Sequence, residues 1–542
     1  MDGDLSSDEA VSHFLGRETD ELSNIINSAN EPREPYDDEK VPPREEDNNG
    51  NLYNSGSDAS TTDTSGTNAS SLESYRQEAE NQASKQRRGS SGTIEDRTSG
   101  LPSVMRTATN YWSPRMKHQR RKVIFHFFRI NAILALFCFT VFVIFWGASY
   151  NTKSYFHKIN FLAVIQEDTL GTNMTDIVPL TSILPALLRR VPGHWHVLND
   201  TQFKIIHSAQ TPEQINEKVI DLIYDEVFWV AVNVKPNVTQ ALYNSLTSQE
   251  EAPFNATNYF QYVFESARDP SNVKSVIFPV AQGLETMLQQ VYALEYLPSL
   301  ARNISANTLN IENLASAGKL NFEYLDYRPF ADRLLMTVTQ LGCVYAIVLT
   351  CFQFLVYSPL HLEMSALLKR RDSAYYRIAI SFLTHFFASL FVCTVSAIYQ
   401  VDFTKAFGRG GFVIFWMTTW LFMWSVGGAN ENVMCLIFAG GPQYIGFWIL
   451  GFVLINISPT FFPLVLNNAF YRYGYMMPLH NVVSIYRVIF FDLSRGKMGR
   501  NYGILAAWVV LNTILLPFDL KLTRYLIRRR RRKEVEAEAS TS

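Results

Sequence analysis

The sequence lacks the short motifs by which ATPases and many enzymes are recognised. It has no G-x-x-x-x-G-K-[ST] phosphate loop, because Gly318-Lys319 and Gly496-Lys497 lack the required preceding glycine and the following Ser or Thr. It has no H-E-x-x-H, no zinc-type Cys/His spacing and no G-x-S-x-G. We therefore predict that the chain is not an enzyme and needs no cofactor. His194-Trp195-His196 could bind a metal, but we favour a turn with exposed or packed histidines.

Cysteine is scarce, and none occurs between residues 149 and 333. We therefore expect no disulfide framework and interpret the cysteines as small apolar side chains. All five lie in or near apolar stretches: Cys138, Cys343, Cys351, Cys393 and Cys435.

Charged residues are missing from several long stretches of the chain. About 20 apolar residues in a helix cross a hydrocarbon core of about 30 Å. The sequence therefore predicts an α-helical polytopic membrane protein with six spans, a first helix at 127–148 and a five-helix bundle at 334–520. The predicted spans are Phe127–Ala148, Leu334–Tyr357, Ile378–Ile398, Phe412–Val426, Tyr444–Leu466 and Gly503–Leu520.

Two of these limits depend on breaks in the apolar pattern. The fourth span is predicted to stop at Gly427-Gly428-Ala429-Asn430-Glu431, where small residues and a carboxylate interrupt it. The second is predicted to close before Pro359.

The two ends of the chain are polar. Residues 1–115 have too few apolar residues to offset the entropy of ordering, and we predict a disordered cytoplasmic tail. Ser6, Ser7 and Ser90 lie in acidic-directed or basic-directed phosphorylation patterns. Residues 521–542 form a basic tail, in which the Arg528 to Arg532 run anchors the topology or binds anionic lipids. No cleavable leader is recognised, so the first span is expected to direct insertion.

The orientation follows from Lys and Arg beside short loops, which remain in the cytoplasm. Six spans place three basic clusters on one side and both termini in the cytoplasm. The clusters lie before the first span (Arg115 to Lys122), between the second and third (Lys369 to Arg377) and after the sixth (Arg524 to Lys533). One group of basic residues conflicts with this rule, because it lies in the predicted outer loop: Arg472, Arg487, Arg495, Lys497 and Arg500.

The polar stretch 149–333 is then an extracytoplasmic domain inserted between spans one and two. Five N-x-[ST] sequons support that side of the membrane, at Asn173, Asn199, Asn237, Asn255 and Asn303. Asn68 and Asn456 also match, but we predict that one is cytoplasmic and the other lies within the membrane.

Short apolar runs and helical patterns alternate in this stretch and indicate an α/β domain. Thr211-Pro212-Glu213-Gln214 is a capping box that opens a helix to about Tyr224. We predict strands at Phe161–Ile165, Phe203–Ile206 and Val227–Val234, and helices at Leu180–Arg190 and Val273–Tyr296.

Polar groups within the spans are candidate functional residues, because an ionisable side chain in hydrocarbon needs a partner or water. We favour His385 as a packing histidine, Glu431 as a loop carboxylate at the cytoplasmic face, and Asn456 and Asn512 as interhelical hydrogen-bond partners. Proton coupling by His385 with Glu431 is the alternative.

The segment 467–500 interleaves tyrosines with arginines. It is either an aromatic belt that fixes helix ends or an exit vestibule, in which Arg472 meets anionic headgroups or polar substrate. In the second case Gly474 and Pro478 set a re-entrant turn. A helix from Leu479 to Leu493 is expected to lie in the membrane interface. The candidate residues are Tyr471, Arg472, Tyr473, Gly474, Tyr475 and Pro478.

Two segments and the order of the spans resemble the fungal nitrosoguanidine-resistance protein family. The segments are Val227–Val234 with the following Lys235-Pro-Asn-Val-Thr239, and Asn467-Asn-Ala-Phe-Tyr-Arg-Tyr-Gly-Tyr-Met-Met-Pro478. The resemblance covers about Arg120 to Arg524 and extends, more distantly, to phage-infection-type proteins and ABC exporter permeases. It implies an exporter or lipid-environment protein linked to drug resistance, and it transfers no catalytic residue.

Two functions are therefore expected. The first is an export permease for toxic compounds or lipids, working as a homodimer, with an energy-supplying partner or with a proton gradient. The second is a non-transporting membrane protein whose outer domain binds a partner or modulates lipid asymmetry. Membrane lipids and a small toxic compound are the expected partners, without nucleic acid. The plasma membrane is the preferred location and the endoplasmic reticulum the alternative.

Overall fold

The computed structural model describes residues 111–167, 177–248, 251–305 and 308–539. Residues from Phe127 onwards belong to one compact unit. Of the unit that precedes it, the described residues are a turn at Pro114–Met116 and the first residues of a long helix. Several predictions fall outside the described residues. They concern the disordered tail apart from its last residues, the phosphorylation candidates Ser6, Ser7 and Ser90, and the sequon at Asn173.

The described chain contains short and long helices and one sheet. The strands are β1 (Asn160–Ile165), β2 (His194–Asn199), β3 (Val230–Val234), β4 (Phe260–Phe264) and β5 (Glu323–Asp326). The helices are α1 (Lys117–Gly147), α2 (Leu184–Leu188), α3 (Asp200–His207), α4 (Pro212–Tyr224), α5 (Val238–Thr247), α6 (Phe278–Val291), α7 (Leu297–Asn303), α8 (Ile311–Ala317), α9 (Arg333–Leu367), α10 (Arg370–Ile398), α11 (Gly411–Gly440), α12 (Ile445–Ile457), α13 (Pro478–Phe491) and α14 (Met498–Ala539).

Five helical segments of the described chain are long and apolar enough to cross a membrane. They are α1, α9, α10, α14 and Thr404–Gly440, which joins a short helical turn to α11. The protein is therefore an α-helical polytopic membrane protein.

Two predicted helix limits are wrong, and a third helix extends beyond its predicted span. Helix α11 runs for 30 residues without a break through Gly427–Glu431. Helix α9 continues past Pro359 to Leu367, and α14 continues through the basic run Arg528–Arg532. Local breaker signals are overridden where neighbouring helices accommodate small residues and supply polar partners, as described below for α11.

The predicted span Tyr444–Leu466 is not one helix. Helix α12 has 13 residues, about 20 Å, and ends before Ser458-Pro459. Proline has no N–H and disfavours helix in the residue before it, and Pro463 follows soon afterwards. The chain continues in turns to Leu466, which is buried in the core of the sheet.

The sheet lies between α1 and α9 in the chain, in what we call the sheet region (residues 149–332). Its strand order is β2-β1-β3-β4-β5, with β2, β1 and β3 parallel and β4 antiparallel to β3. Alternate residues of β1 face opposite sides: Phe161 packs with α2, α5 and α6, whereas Leu162 packs with α3 and α4. Helices thus cover both faces, as expected for parallel strands.

The capping box at Thr211 and Gln214 is present and opens α4. The predicted strand Phe203–Ile206 is wrong, because these residues lie in α3, which begins with a second capping box at Asn199 and Gln202. His194 to His196 form the edge strand β2 rather than a turn. The third strand begins later than predicted, at Val230.

Candidate functional site

Helix α10 buries polar residues and exposes apolar ones. Leu383, Phe387 and Phe391 are about half exposed or more, on a face suited to lipid. Polar and small residues four apart lie on the opposite, buried face: Ser373, Arg377, Ser381, His385, Ser389 and Cys393. From Ser373 to Cys393 this polar face is about 30 Å long, close to the thickness of a hydrocarbon core.

Arg377 and Glu431 form a buried ion pair between α10 and α11. Arg377 Nε donates to Glu431 Oε1 at 2.5 Å, and its Nη2 donates to Cys435 Sγ at 3.2 Å. The two side chains are 7% and 11% exposed. Both predictions for these residues are corrected: Glu431 is not a loop carboxylate, and Arg377 is not part of a solvated cytoplasmic loop. A buried carboxylate is stable here because the guanidinium compensates its charge.

His385 lies on the same face of α10, two turns beyond Arg377. Its Nδ1 donates to the Ser381 carbonyl oxygen at 2.6 Å, so Nε2 of the neutral ring is an acceptor. Nε2 is buried and has no hydrogen-bond partner among the described residues. A Cβ at Gly427 would overlap this atom, so the histidine fits against α11 because position 427 is glycine.

Three consecutive residues of α11 connect it to four other helices. Asn430 donates to Thr350 Oγ1 of α9 at 2.9 Å and accepts from Trp448 Nε1 of α12 at 3.0 Å. Glu431 pairs with α10, and Asn432 donates to the Asn512 carbonyl oxygen of α14 at 3.0 Å. The predicted break in the fourth span is thus the polar hub of the bundle. Asn512 takes part as expected for an interhelical hydrogen-bond partner, and its Nδ2 donates to Ser425.

Two small polar cavities adjoin the ion pair. The first lies between α9, α10 and α11, and includes His361 and His385 in its lining. The second lies between α10, α11 and α14, and includes Asn512. Ser381 and Glu431 line both. Each has room for about one water molecule. We call Arg377, Ser381, His385 and Glu431 the polar centre. His385 and Glu431, for which proton coupling was the alternative interpretation, line one cavity.

The polar centre combines a fixed cation, a carboxylate and a neutral imidazole acceptor with space for water. Such a set can bind and release protons, because His and Glu exchange protons through water. No group of three or more His, Cys, Asp or Glu suited to a metal ion occurs in the part of the chain that the structure describes.

Two tyrosines of the 467–500 segment contact the ends of neighbouring helices. Tyr471 OH donates to the Ile144 carbonyl oxygen near the end of α1 at 2.7 Å, and Tyr473 OH donates to the Ile455 carbonyl oxygen of α12 at 3.0 Å. Tyr475 is 44% exposed. These contacts favour the aromatic-belt interpretation for Tyr471 and Tyr473.

Gly474 and Pro478 lie where the chain turns back into the bundle. A Cβ at Gly474 would overlap Pro459, and Pro478 is the first residue of α13. Helix α13 is not a peripheral helix with one face free, because most of its residues are buried within the protein. Its Tyr486 OH lies 2.7 Å from Thr419 Oγ1 of α11. An apolar pattern with a period of 3.6 residues is expected both for a helix at the membrane interface and for a helix packed in the bundle, so the sequence could not distinguish the two.

The basic residues that conflicted with the predicted orientation are mostly held by protein groups. Arg487 donates to the Arg268 carbonyl oxygen at 2.8 Å and Lys497 pairs with Glu226, both in the sheet region. Arg495 donates to the Ala406 carbonyl oxygen, and Arg500 stacks on Tyr475. Arg472 is exposed and makes no hydrogen bond, ion pair or ring contact with any described residue.

The predicted glycosylation sites of the sheet region are accessible where they are described. Their side chains are exposed in each case: Asn199, Asn237, Asn255 and Asn303. Asn456, predicted to be unusable, is fully buried and donates to the Phe452 carbonyl oxygen within α12.

Arg377 is the site residue that the sequence analysis missed. Its signal was present as a repeat of polar or small residues every fourth position from Ser373 to Cys393. A helix that repeats polar residues at this spacing buries them on one face. Gly427 and Gly428 carry the complementary signal, because small residues allow two membrane helices to approach closely.

A polytopic helical bundle with a polar centre and a covered five-stranded sheet is the class of protein that these observations define. The chain belongs to the family described as "Protein of unknown function (DUF3533)", which matches residues 130–514. It is similar to the "Uncharacterized endoplasmic reticulum membrane protein YJR015W" of Saccharomyces cerevisiae, with 52% identity over 437 residues, 79% of this chain and 85% of the relative. No solved structure matches the chain.

Proposed function

We propose that this protein is a permease for lipids or other amphiphilic compounds. Their polar groups pass along the buried polar face of α10, and the polar centre is its proton-responsive gate. The observation that carries this proposal is the length of that face, which matches the hydrocarbon core and has the Arg377–Glu431 pair within it. In this proposal the closed state is the one with room for about one water molecule in each cavity.

The ion pair is suited to gating because Glu431 lines both cavities. Protonation of Glu431 would remove its charge and release Arg377, which makes one other side-chain hydrogen bond, to Cys435. The two cavities could then join past Ser381. Export of toxic compounds, including nitrosoguanidine-type agents, is the resistance phenotype that such a permease would give.

Flux through proteoliposomes tests this function. The full chain is reconstituted with NBD-labelled phosphatidylcholine, and transfer between leaflets is followed by dithionite quenching. Ser381→Leu, which fills both cavities, is expected to abolish transfer, whereas Phe387→Leu on the exposed face of α10 is expected to retain it. Equal activity of the two variants, or none in the wild type with either this lipid or rhodamine 6G, contradicts the proposal.

A protonophore identifies the source of energy. If the protonophore abolishes flux and Glu431→Gln makes flux independent of pH, transport is coupled to the proton gradient within this chain. Flux that appears only with an added nucleotide-binding partner indicates a complex.

We further propose that the sheet region faces the lumen of the endoplasmic reticulum and that both termini are cytoplasmic. The location in this membrane is supported by the yeast relative, which is named as an endoplasmic reticulum membrane protein, and the side by the four exposed sequons. This topology requires residues 442–466 to cross the membrane, as α12 followed by a non-helical segment. Endoglycosidase H should shift the mobility of the protein, and changing the five sequon asparagines to glutamine should remove the shift. A tag at Ser542 that is protected in sealed microsomes would contradict this topology.

A second candidate is a non-transporting protein whose sheet region binds a partner. It is favoured by the exposed edge strand β2 and by Ile205 and Ile206 beside it on α3, which are 76% and 59% exposed. Edge strands with free backbone groups accept further strands. Unchanged lipid transfer in Ser381→Leu, together with loss of a co-purifying protein in Ile205→Asp, would favour this function.

A further inference from the structure

The sheet region contacts the helical bundle through a group of buried and partly exposed charges that the proposed transport path does not use. The contacts that cross this junction include the following four. They are Arg487 to the Arg268 carbonyl oxygen, Asn272 to the Phe461 carbonyl oxygen, Arg328 with Asp492, and Lys497 with Glu226.

Glu265 is the exception within this junction, because its carboxylate has no partner. It follows β4, is 1% exposed, and neither carboxylate oxygen has a hydrogen-bond partner among the described residues. The nearest cation on its own loop, Arg268, donates to the Phe228 and Glu226 carbonyl oxygens at 2.6 and 3.0 Å. The same guanidinium lies 3.8 Å from the centre of the Trp229 ring. An ionised Glu265 would therefore be a buried anion without a donor, which is costly.

The charges around Glu265 come from every neighbouring element. Asp269 lies on the same loop as Glu265. Tyr224 is the last residue of α4 and Glu226 follows it. Asp326 and Arg328 lie at the end of β5. From the bundle, Arg487 of α13 faces Arg268 and Asp269, Lys497 faces Glu226, and Asp492 faces Arg328. Lys274 is paired with Asp326, which also accepts from the Ser266 backbone and hydroxyl.

Two carboxyls of this junction are thus in opposite environments. Burial would raise the pKa of Glu226, but Arg268 and Lys497 hold it below its ordinary value. Burial raises the pKa of Glu265 to about 7, and Arg268 opposes this only in part. Neighbouring carboxyls whose pKa values are driven apart in this way serve as separate charged and neutral groups.

We propose that the junction is a proton-operated latch, which holds the sheet region on α13 while Glu265 is protonated and loosens when Glu265 ionises. To hydrate an ionised Glu265, the loop 265–269 must move away from α13. That movement removes the acceptor of Arg487, whose Nη2 is already without a partner among the described residues. The change reaches the bundle because α13 contacts α11 through Tyr486 and Thr419.

The sign of the pH dependence follows from the raised pKa. The seated state binds the proton of Glu265 more tightly than a loosened state in which the carboxyl has its ordinary value of about 4.5. Seating is therefore unaffected below about pH 4.5, weakens with rising pH up to about pH 7, and is constant above that. Within the window the equilibrium shifts by at most about tenfold per pH unit.

Hydrogen exchange of the full chain in nanodiscs tests the latch between pH 5 and 8, with rates corrected for intrinsic chemical exchange. Peptides covering 264–276 and 487–498 are expected to lose protection up to pH 7 and then level off, while β1 peptides stay unchanged. Glu265→Gln should keep full protection at every pH. The matched control Glu323→Gln, in β5 and half exposed, should behave as the wild type.

Corrected protection that is flat in the wild type, or a pH response that persists in Glu265→Gln, overturns the latch. Should Glu265→Gln not fold, the wild-type profile alone decides, because the latch requires its levelling above pH 7. The outcome does not depend on whether any compound crosses the bundle.

Discussion

The sheet region and the helical bundle are stabilised in different ways. The sheet region buries large apolar side chains on both faces of the sheet, such as Phe161 and Phe203, and water drives them inward. In the bundle the apolar side chains of α10 point outward, since lipid solvates them as well as protein does. Apolar side chains are also buried between the helices of the bundle, but their packing gains little from leaving water, so small residues and polar pairs add specific contacts. Substitutions in the two regions should consequently fail for different reasons.

The largest effect is expected from removing one charge of the buried pair. Arg377→Leu leaves Glu431 uncompensated and should lower the free energy of unfolding by about 3–5 kcal/mol, measured by denaturant titration in detergent. The double variant Arg377→Leu/Glu431→Leu should recover most of this loss. If the double variant is as unstable as the single one, the pair acts through packing and not through charge.

A cavity in the sheet region should cost slightly less. Leu242→Ala removes a fully buried side chain of α5, and the loss should be about 2–5 kcal/mol. Ile205→Ala on the exposed side of α3 is the control and should change stability by less than about 0.5 kcal/mol. Equal losses would mean that the apolar core is not what stabilises this region.

Adding a methyl group in the bundle should destabilise the protein by overpacking instead of by a cavity, and the effect should be smaller. Gly427→Ala forces α11 away from His385 and should cost about 1–3 kcal/mol. Gly440→Ala, at the end of the same helix, meets no neighbouring atom within 4 Å and should be neutral or mildly stabilising. Similar thermal midpoints for the two variants would exclude close packing of α10 on α11 at position 427.

The smallest effect is expected for a single hydrogen bond between membrane helices. Asn432→Ala removes the contact to α14 and should cost about 0.6 kcal/mol. Thr211→Ala, which removes the cap of α4, should cost about 1 kcal/mol. A markedly larger loss for Asn432 would show that the hub depends on its individual hydrogen bonds and not on the fit of the helices.

The same difference explains how much could be predicted from the sequence. Helix α4 was predictable because Thr211 and Gln214 form their capping box locally, and α1 and α10 because apolar length is a local property. The capping box at Asn199 and Gln202 was equally local, and it would have identified α3.

The site was harder to predict because its residues act through distant partners. Glu431 interrupts an apolar run in the sequence, and its compensating charge lies 54 positions earlier in the chain. Gly427 is a helix breaker by propensity, but in α11 it provides space for His385. The fourfold spacing along α10 was visible, and it would have shown that Arg377 belongs to a buried face.

The hydrogen bond from Tyr471 to Ile144 has a consequence for biogenesis. It joins residues 327 positions apart, and α1 otherwise has few buried side chains. Of the described helices, α1 leaves the ribosome first, and it gains this hydrogen bond only after almost the whole chain has been made. Until then the end of α1 lacks the hydrogen bond from Tyr471. A chain truncated before residue 471 should therefore expose this end to the quality-control machinery of its membrane.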